Sequence, residues 1–204
     1  MKRFSALLLI LCTLLITGCD QNPVPDDAIF GFAREVSEDE QAVRLNLVQT
    51  AQTWLGCKEK DGSFEPIIDL YNAHEPLAMG YLVQYTDQWC ATFGSTVAIQ
   101  CGLTDIIPTE CGCQRQIALF EELNCWQEDD AYIPLPGDYI FYALGNKESE
   151  NIAWSDHVGI VVGTWNEYIK VIEGNYAGEV RYRIIKVDDS TIRGYGLPDY
   201  QSKI

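Results

Sequence analysis

The sequence predicts a mixed α+β domain, and three observations carry that prediction. Apolar residues recur at helical spacing through the first two thirds of the chain. From Asp138 onward the period changes to two. The connections Trp165-Asn166-Glu167 and Tyr176-Ala177-Gly178 are short enough for hairpins, so the strands they join run antiparallel. Helices first and strands second is the α+β order.

The chain has 204 residues, enough for one domain of ordinary size with short extras. Its start reads as an address and not as part of the fold. Lys2 and Arg3 precede an apolar run from Ala6 to Ile16, too short to remain as a bilayer span. The run closes on Ile16-Thr17-Gly18-Cys19, which resembles the lipobox of bacterial lipoproteins. That resemblance implies a signal peptide over 1–18, cleavage before Cys19, lipidation of its sulfur and an extracytoplasmic protein anchored to the cell membrane. Several acyl chains on one residue give a lasting anchor where one would be marginal. Residues 19–40 follow as an acidic tether, with Pro23 and Pro25 near its start. Phe30 and Phe32 are unusual in a tether and suggest packing on the domain at 41–204.

In that domain the first helix is expected from Asp39 to Leu55, with Leu45, Val48, Gln52 and Leu55 on its inner face, Val43, Leu47 and Trp54 widening it and Gly56 ending it. Pro66 to Asn72 suits one or two helical turns. Tyr85 to Leu103 is the stretch around which the chain is organised. Asp87 or Thr86 is expected to cap a helix that carries Cys90 in its first turn. Phe93, Val97 and Cys101 set one face toward a core, and Gly102 stops the helix. The positive end of a helix favours a thiolate over a thiol, and the thiolate is the nucleophile. A further helix spans Gln114 to Leu123, with Ile117, Phe120 and Leu123 or Leu119 inward. Pro136-Gly137-Asp138 turns the chain into a strand at Tyr139–Tyr142. A polar loop at 144–155 carries Trp154 near its end. Strands follow at His157–Thr164, Tyr168–Glu173, Val180–Val187 and Ile192–Tyr195.

The formal charge is −16, and loss of residues 1–18 would leave 12 basic against 30 acidic residues, about −18. Such a surface repels nucleic acid, and no basic run or aromatic-basic interleaving offsets it. Of eight cysteines, Cys12 leaves with the signal and Cys19 takes lipid. Cys57, Cys101, Cys111, Cys113 and Cys125 remain beside Cys90, as buried thiols, in disulfides, or, for Cys111, Cys113 and Cys125, as three of the four ligands that a structural zinc wants. The spacing is not a standard zinc pattern, and no metal or cofactor is expected.

Cys90, His157 at the head of a strand, and Glu173 and Asn175 at the end of the next supply a nucleophile, a base and an orienting group, as thiol catalysis requires. His74, the other histidine, lacks a strand context and a neighbouring partner. Four segments, Gln88-Trp89-Cys90-Ala91-Thr92-Phe93, Pro136-Gly137-Asp138-Tyr139-Ile140-Phe141, Asp156-His157-Val158-Gly159-Ile160-Val161 and Ile172-Glu173-Gly174-Asn175, resemble in order and spacing the CHAP family of cysteine- and histidine-dependent amidohydrolases and peptidases. That family groups with NlpC-type enzymes among papain-like folds, and the resemblance covers roughly 40–200. It implies N-terminal helices packed on a small antiparallel sheet, and cleavage of amide bonds in bacterial peptidoglycan by an endopeptidase or N-acetylmuramoyl-L-alanine amidase. By position it makes Cys90 the nucleophile, His157 the general base and Glu173 its orienting group, with Asn175 as alternative or helper. The Cys90 backbone N–H would serve an oxyanion, with Gln88 or Tyr85 as a second donor. Trp154 would wall the cleft. Peptidoglycan and the membrane are the expected partners, and a monomer the expected state. Gly94 departs from the family, where a bulkier apolar residue is common. Two other readings share the sequence: a thiol acyltransferase or amidase on another substrate, and a non-catalytic surface lipoprotein that binds wall fragments.

Overall fold

A computed structural model describes residues 24–145 and 154–204. The expected signal peptide, Cys12, the lipidation site Cys19 and most of the loop before Trp154 lie outside the described residues.

The second half of the chain builds an antiparallel sheet. Its strands are β1 (Trp126–Gln127), β2 (Tyr139–Tyr142), β3 (His157–Trp165), β4 (Tyr168–Glu173), β5 (Arg181–Lys186) and β6 (Ile192–Gly196), in the spatial order β1-β6-β2-β3-β4-β5. Both hairpins fall where the short turns put them. The two-residue β1 was not foreseen; it pairs Trp126 with Gly196 at the sheet edge. Strand alternation sorts the side chains into two cores. Tyr139, Phe141, Val158, Ile160 and Ile172 face the helices, while Ile140, Tyr142, Val161, Ile169 and Val171 face away.

Four helices precede or flank the sheet: α1 (Glu38–Gln52), α2 (Glu65–Asn72), α3 (Cys90–Cys101) and α4 (Cys113–Glu122). The architecture is thus α+β. In α1 the Ser37 hydroxyl accepts the Glu40 N–H at 3.2 Å, and acidic residues fill the first turn, where the helix dipole favours them. Its inward face holds Leu47 and Val48 as expected but departs from the expected one elsewhere. Glu40, Arg44, Leu47, Val48 and Ala51 are buried, whereas Leu45 and Leu55 are exposed. The cause is a buried charge network. Arg44 donates to Glu40 Oε1 at 2.7 Å, to Asp138 Oδ1 at 2.8 Å and to the Pro136 carbonyl at 3.0 Å. Asp138 also accepts the Leu135 N–H at 2.8 Å, so the Pro-Gly-Asp turn is pinned to α1 and sets where β2 begins.

The tether expected at 19–40 is held against the domain over its described part. Val24 is buried, Gly31 pairs with Thr164 at the end of β3, and Arg34 donates to the Tyr132 hydroxyl. Among the described residues no helix is long and apolar enough to cross a membrane.

The central helix α3 is buried on all sides from Cys90 to Ala98, not on one face alone. Two of its buried hydroxyls bond to backbone across the core. Ser95 donates to the Glu110 carbonyl at 2.7 Å and Thr96 to the Ile67 carbonyl at 2.8 Å. At Gly94 the sheet comes close to the helix. A Cβ there would stand 2.8 Å from Cε1 of Tyr139, whose hydroxyl donates to the Gly94 carbonyl at 2.8 Å. Packing of β2 against α3 thus requires glycine at this position.

Candidate active site

The N-terminus of α3 meets the start of β3 at one end of the sheet. Cys90 is the first residue of its helix. The expected caps do not form, and Trp89 stands at the N-cap position without a side-chain hydrogen bond. Asp87 is occupied elsewhere, accepting from the Gln84 N–H and the Tyr81 hydroxyl, both at 2.8 Å. The first turn therefore has no side-chain oxygen competing for its N–H groups, which suits it to a thiolate or an oxyanion.

His157 opens β3 opposite Tyr142 of β2, and the two rings stack at 5.9 Å. His157 and Cys90 act on each other electrostatically, the ring favouring the thiolate and the thiolate favouring the charged ring. The His157 Nε2 lies 3.0 Å from Glu173 Oε2 at the end of β4. With Nε2 committed to the acid, Nδ1 is the nitrogen left for Cys90. Glu173 is fully buried, and its second oxygen accepts from Arg183 Nε at 2.7 Å. Gly159 makes this reach possible. It lies two residues along β3 from His157, and a Cβ there would stand 2.7 Å from Glu173 Cγ and 2.5 Å from Val171 Cγ1.

The sulfur has a third neighbour. Cys113, the first residue of α4, lies with its Sγ 3.6 Å from Cys90 Sγ. Hydrogen bonding from the Cys113 thiol pulls the Cys90 thiol well below its ordinary range. Burial opposes this, while His157 and the Val158 backbone N–H add to it. Cys113 moves the opposite way, held well up by the same hydrogen bond and by burial. Burial pulls His157 down, but the Cys90 thiolate and Glu173 outweigh it and raise the ring to about 9. Glu173 is lowered. Burial would raise its carboxyl, but hydrogen bonds from His157 and Arg183 prevail. The shifts thus run in the direction of a thiolate–imidazolium pair backed by a carboxylate.

The remaining expected site residues divide. Asn175 follows the strand end in a left-handed conformation, φ 56°, but turns away from His157. Its amide lies 2.9 Å from Gln88 Oε1. In the orientation that satisfies its neighbours, it also accepts from the Trp89 N–H at 3.3 Å and donates to Glu59 at 3.2 Å. It ties the loop before Cys90 to the end of β4 and does not orient the base. Tyr85 is not an oxyanion donor in this arrangement, because its hydroxyl donates to Asp69 at 2.7 Å. Gln88 lines a cleft of about 500 Å³ together with Met79, Tyr81, Val83, Asp87, Cys111, Gly112 and Arg115. Its lining includes Gln88, two residues before Cys90, and Gly112, the residue before Cys113. Trp154 is exposed and does not line that cleft. His74 sits in the turn after α2, its backbone N–H bonded to the Tyr71 carbonyl, away from this constellation.

Two residues of the site were missed. Arg183 lies in a basic alternation on β5, Arg181-Tyr182-Arg183; the register sets Arg181 opposite Glu173 and Arg183 opposite Val171, so Arg183 reaches the carboxylate diagonally. Cys113 heads an amphipathic helix, the same position that singled out Cys90. All six described cysteines are free thiols, and among the described residues no group of side chains is arranged to hold a metal ion. Cys111, Cys113 and Cys125 are engaged separately, with Arg115, Cys90 and the Leu123 carbonyl respectively.

No family model matches the chain, and comparison with the curated proteins and with the solved structures found no match.

Proposed function

We propose that this protein is a cysteine amidohydrolase of the CHAP type, carried on a lipid anchor at Cys19 and acting on amide bonds of bacterial peptidoglycan. The observation that carries the reading is the convergence of Cys90, His157 and Glu173 from α3, β3 and β4, with the acid 3.0 Å from the His157 Nε2 and the ring favouring the Cys90 thiolate. The helix-on-sheet layout and the order of the four sequence segments support the same family.

In this reading the Cys90 thiolate attacks the amide carbonyl, and the oxyanion takes the Cys90 backbone N–H as one donor. Gln88, at the cleft wall, is the nearer of the two expected side chains for the second. His157, raised to about 9 and thus protonated at neutral pH, gives its proton to the departing amine. It then takes a proton from the water that cleaves the thioester. Glu173 holds the ring in register and balances its charge throughout, and Arg183 keeps that carboxylate ionised. The cleft has room for a few residues of a peptide stem on one side of the sulfur.

The test is digestion of purified sacculi by the protein and by Cys90→Ala, with products read by mass spectrometry. Soluble muropeptides carrying new amine ends are expected from the former alone. Equal release by both, or none by either, overturns the reading. The masses separate an endopeptidase from an amidase that frees the stem from muramic acid.

A further inference from the structure

Cys113 is not needed for amide hydrolysis, yet it is the nearest sulfur to the nucleophile. Cys90 and Cys113 each open a helix, both are buried, and their sulfurs are 3.6 Å apart. A disulfide requires about 2.05 Å, so the sulfurs need to approach by roughly 1.5 Å, within reach of side-chain rotation. We propose that Cys90 and Cys113 form a reversible disulfide, closed by exchange with a small-molecule disulfide and opened by a thiol, that blocks the nucleophile.

The chemistry follows from the asymmetry of the pair. The Cys90 thiolate attacks one sulfur of the incoming disulfide. A Cys90–S–S–R bond forms, the reagent's S–S bond breaks, and one thiolate leaves and takes a proton from water. The Cys113 sulfur then attacks Cys90 Sγ, forming the Cys90–Cys113 bond, and its proton leaves with the second thiol. Two protein thiols are oxidised by two electrons, and one disulfide is reduced to two thiols. Each residue suits its step. Cys90 is the stronger attacker, because its charge is stabilised before reagent arrives. Cys113, held as a thiol against it, is the resolving group.

Gln88, two residues before Cys90, lines the cleft that an amide substrate would use. Cys111 and Gly112 line it immediately before Cys113, and Cys111 is half-buried there, its sulfur 3.6 Å from Arg115 Nη2. Cys111 is thus exposed to the reagent as well, but it points to Arg115, and Cys113 points to Cys90. Pairing is accordingly Cys90 with Cys113, and Cys111 stays free or carries the reagent's adduct.

The disulfide stands independently of the proposed hydrolase; only its effect on turnover rests on that reading. The full-length protein is incubated with glutathione disulfide, its free thiols are blocked with iodoacetamide, and it is cleaved before aspartate without reductant. A linkage between the peptide starting at Asp87 and that starting at Asp105 is expected, with tandem spectra assigning it to Cys90 and Cys113. In Cys113→Ala, Cys90 should instead retain a glutathione adduct. Recovery of Cys90 as the iodoacetamide product in the native sequence, or its linkage to Cys111 or Cys101, overturns the proposal. Sacculus digestion, measured alongside, should fall with cross-linking and return with dithiothreitol. A cross-link in a preparation that never digests sacculi would leave the disulfide in place and remove the hydrolase.

Discussion

Glu173 addresses His157 at Nε2, 3.0 Å away. Its other oxygen is held by Arg183 at 2.7 Å, so the carboxylate cannot rotate out of contact without breaking a second charged bond. Replacement by glutamine keeps the shape and removes the charge. Glu173→Gln should lower amide hydrolysis by about 10²- to 10⁴-fold, the range for an orienting acid beside a catalytic histidine. The alkaline limit of activity should also move down from about 9, because the carboxylate helps hold the imidazolium there. A pH profile of kcat that keeps its alkaline limit would show that Glu173 does not support the charge.

The two shifted groups fix a pH window. Cys90 must be ionised and His157 protonated. The sulfur titrates well below an ordinary thiol and the ring at about 9. Alkylation of Cys90 by iodoacetamide should therefore be fast at neutral pH, rising with pH only through the low Cys90 titration. Amide hydrolysis should fall again as pH passes about 9, where His157 loses the proton owed to the leaving amine. Alkylation of Cys90 that climbs only near pH 9, like a free thiol, would contradict the ion pair.

Gly159 is a positioning residue that touches no substrate. A methyl group there would meet Glu173 Cγ at 2.7 Å and Val171 at 2.5 Å. Gly159→Ala should displace the acid from His157 and lower kcat by about 10-fold or more, with KM little changed, since small misplacements of catalytic groups are expensive. Its alkaline limit should shift in the same direction as that of Glu173→Gln. A drop in stability with an unshifted profile would mark Gly159 as a packing position alone.

Gly94→Ala sets two effects against each other. Alanine gains about 1 kcal/mol of helix propensity. Its Cβ would stand 2.8 Å from the Tyr139 ring, which is fully buried and bonded through its hydroxyl to the same residue's carbonyl. Overpacking of this kind costs about 1–3 kcal/mol, so a net loss is expected. Urea denaturation measures it, and a midpoint higher than the native protein's would refute the close approach.

Much of this architecture was legible because it depends on local pattern. Period-two alternation located β2 to β6, and Cys90, His157 and Glu173 were visible as residues at the ends of elements. Glycine at 94 was an anomaly in the helix, and the contact with Tyr139 accounts for it. What escaped reading depends on long-range pairing. The inner face of α1 is set by Arg44 reaching Asp138, and a hydrophobic pattern counts that arginine as outward. The caps expected for α3 failed because Asp87 folds back on Gln84 and Tyr81. Tyr85 was near Cys90 in sequence, but its hydroxyl was claimed by Asp69. Cys113 lies on another helix from Cys90, and no spacing rule brings two helix starts together.

The burial of α3 on every side ties chemistry to the integrity of the whole molecule. A nucleophile on a surface loop can lose its alignment while the rest stays folded; this one has no solvent-facing seam along which to loosen. Heat should then extinguish catalysis and melt the interior in one step. Amide protons of Val97 and Ala98 should exchange with solvent only when the entire domain opens.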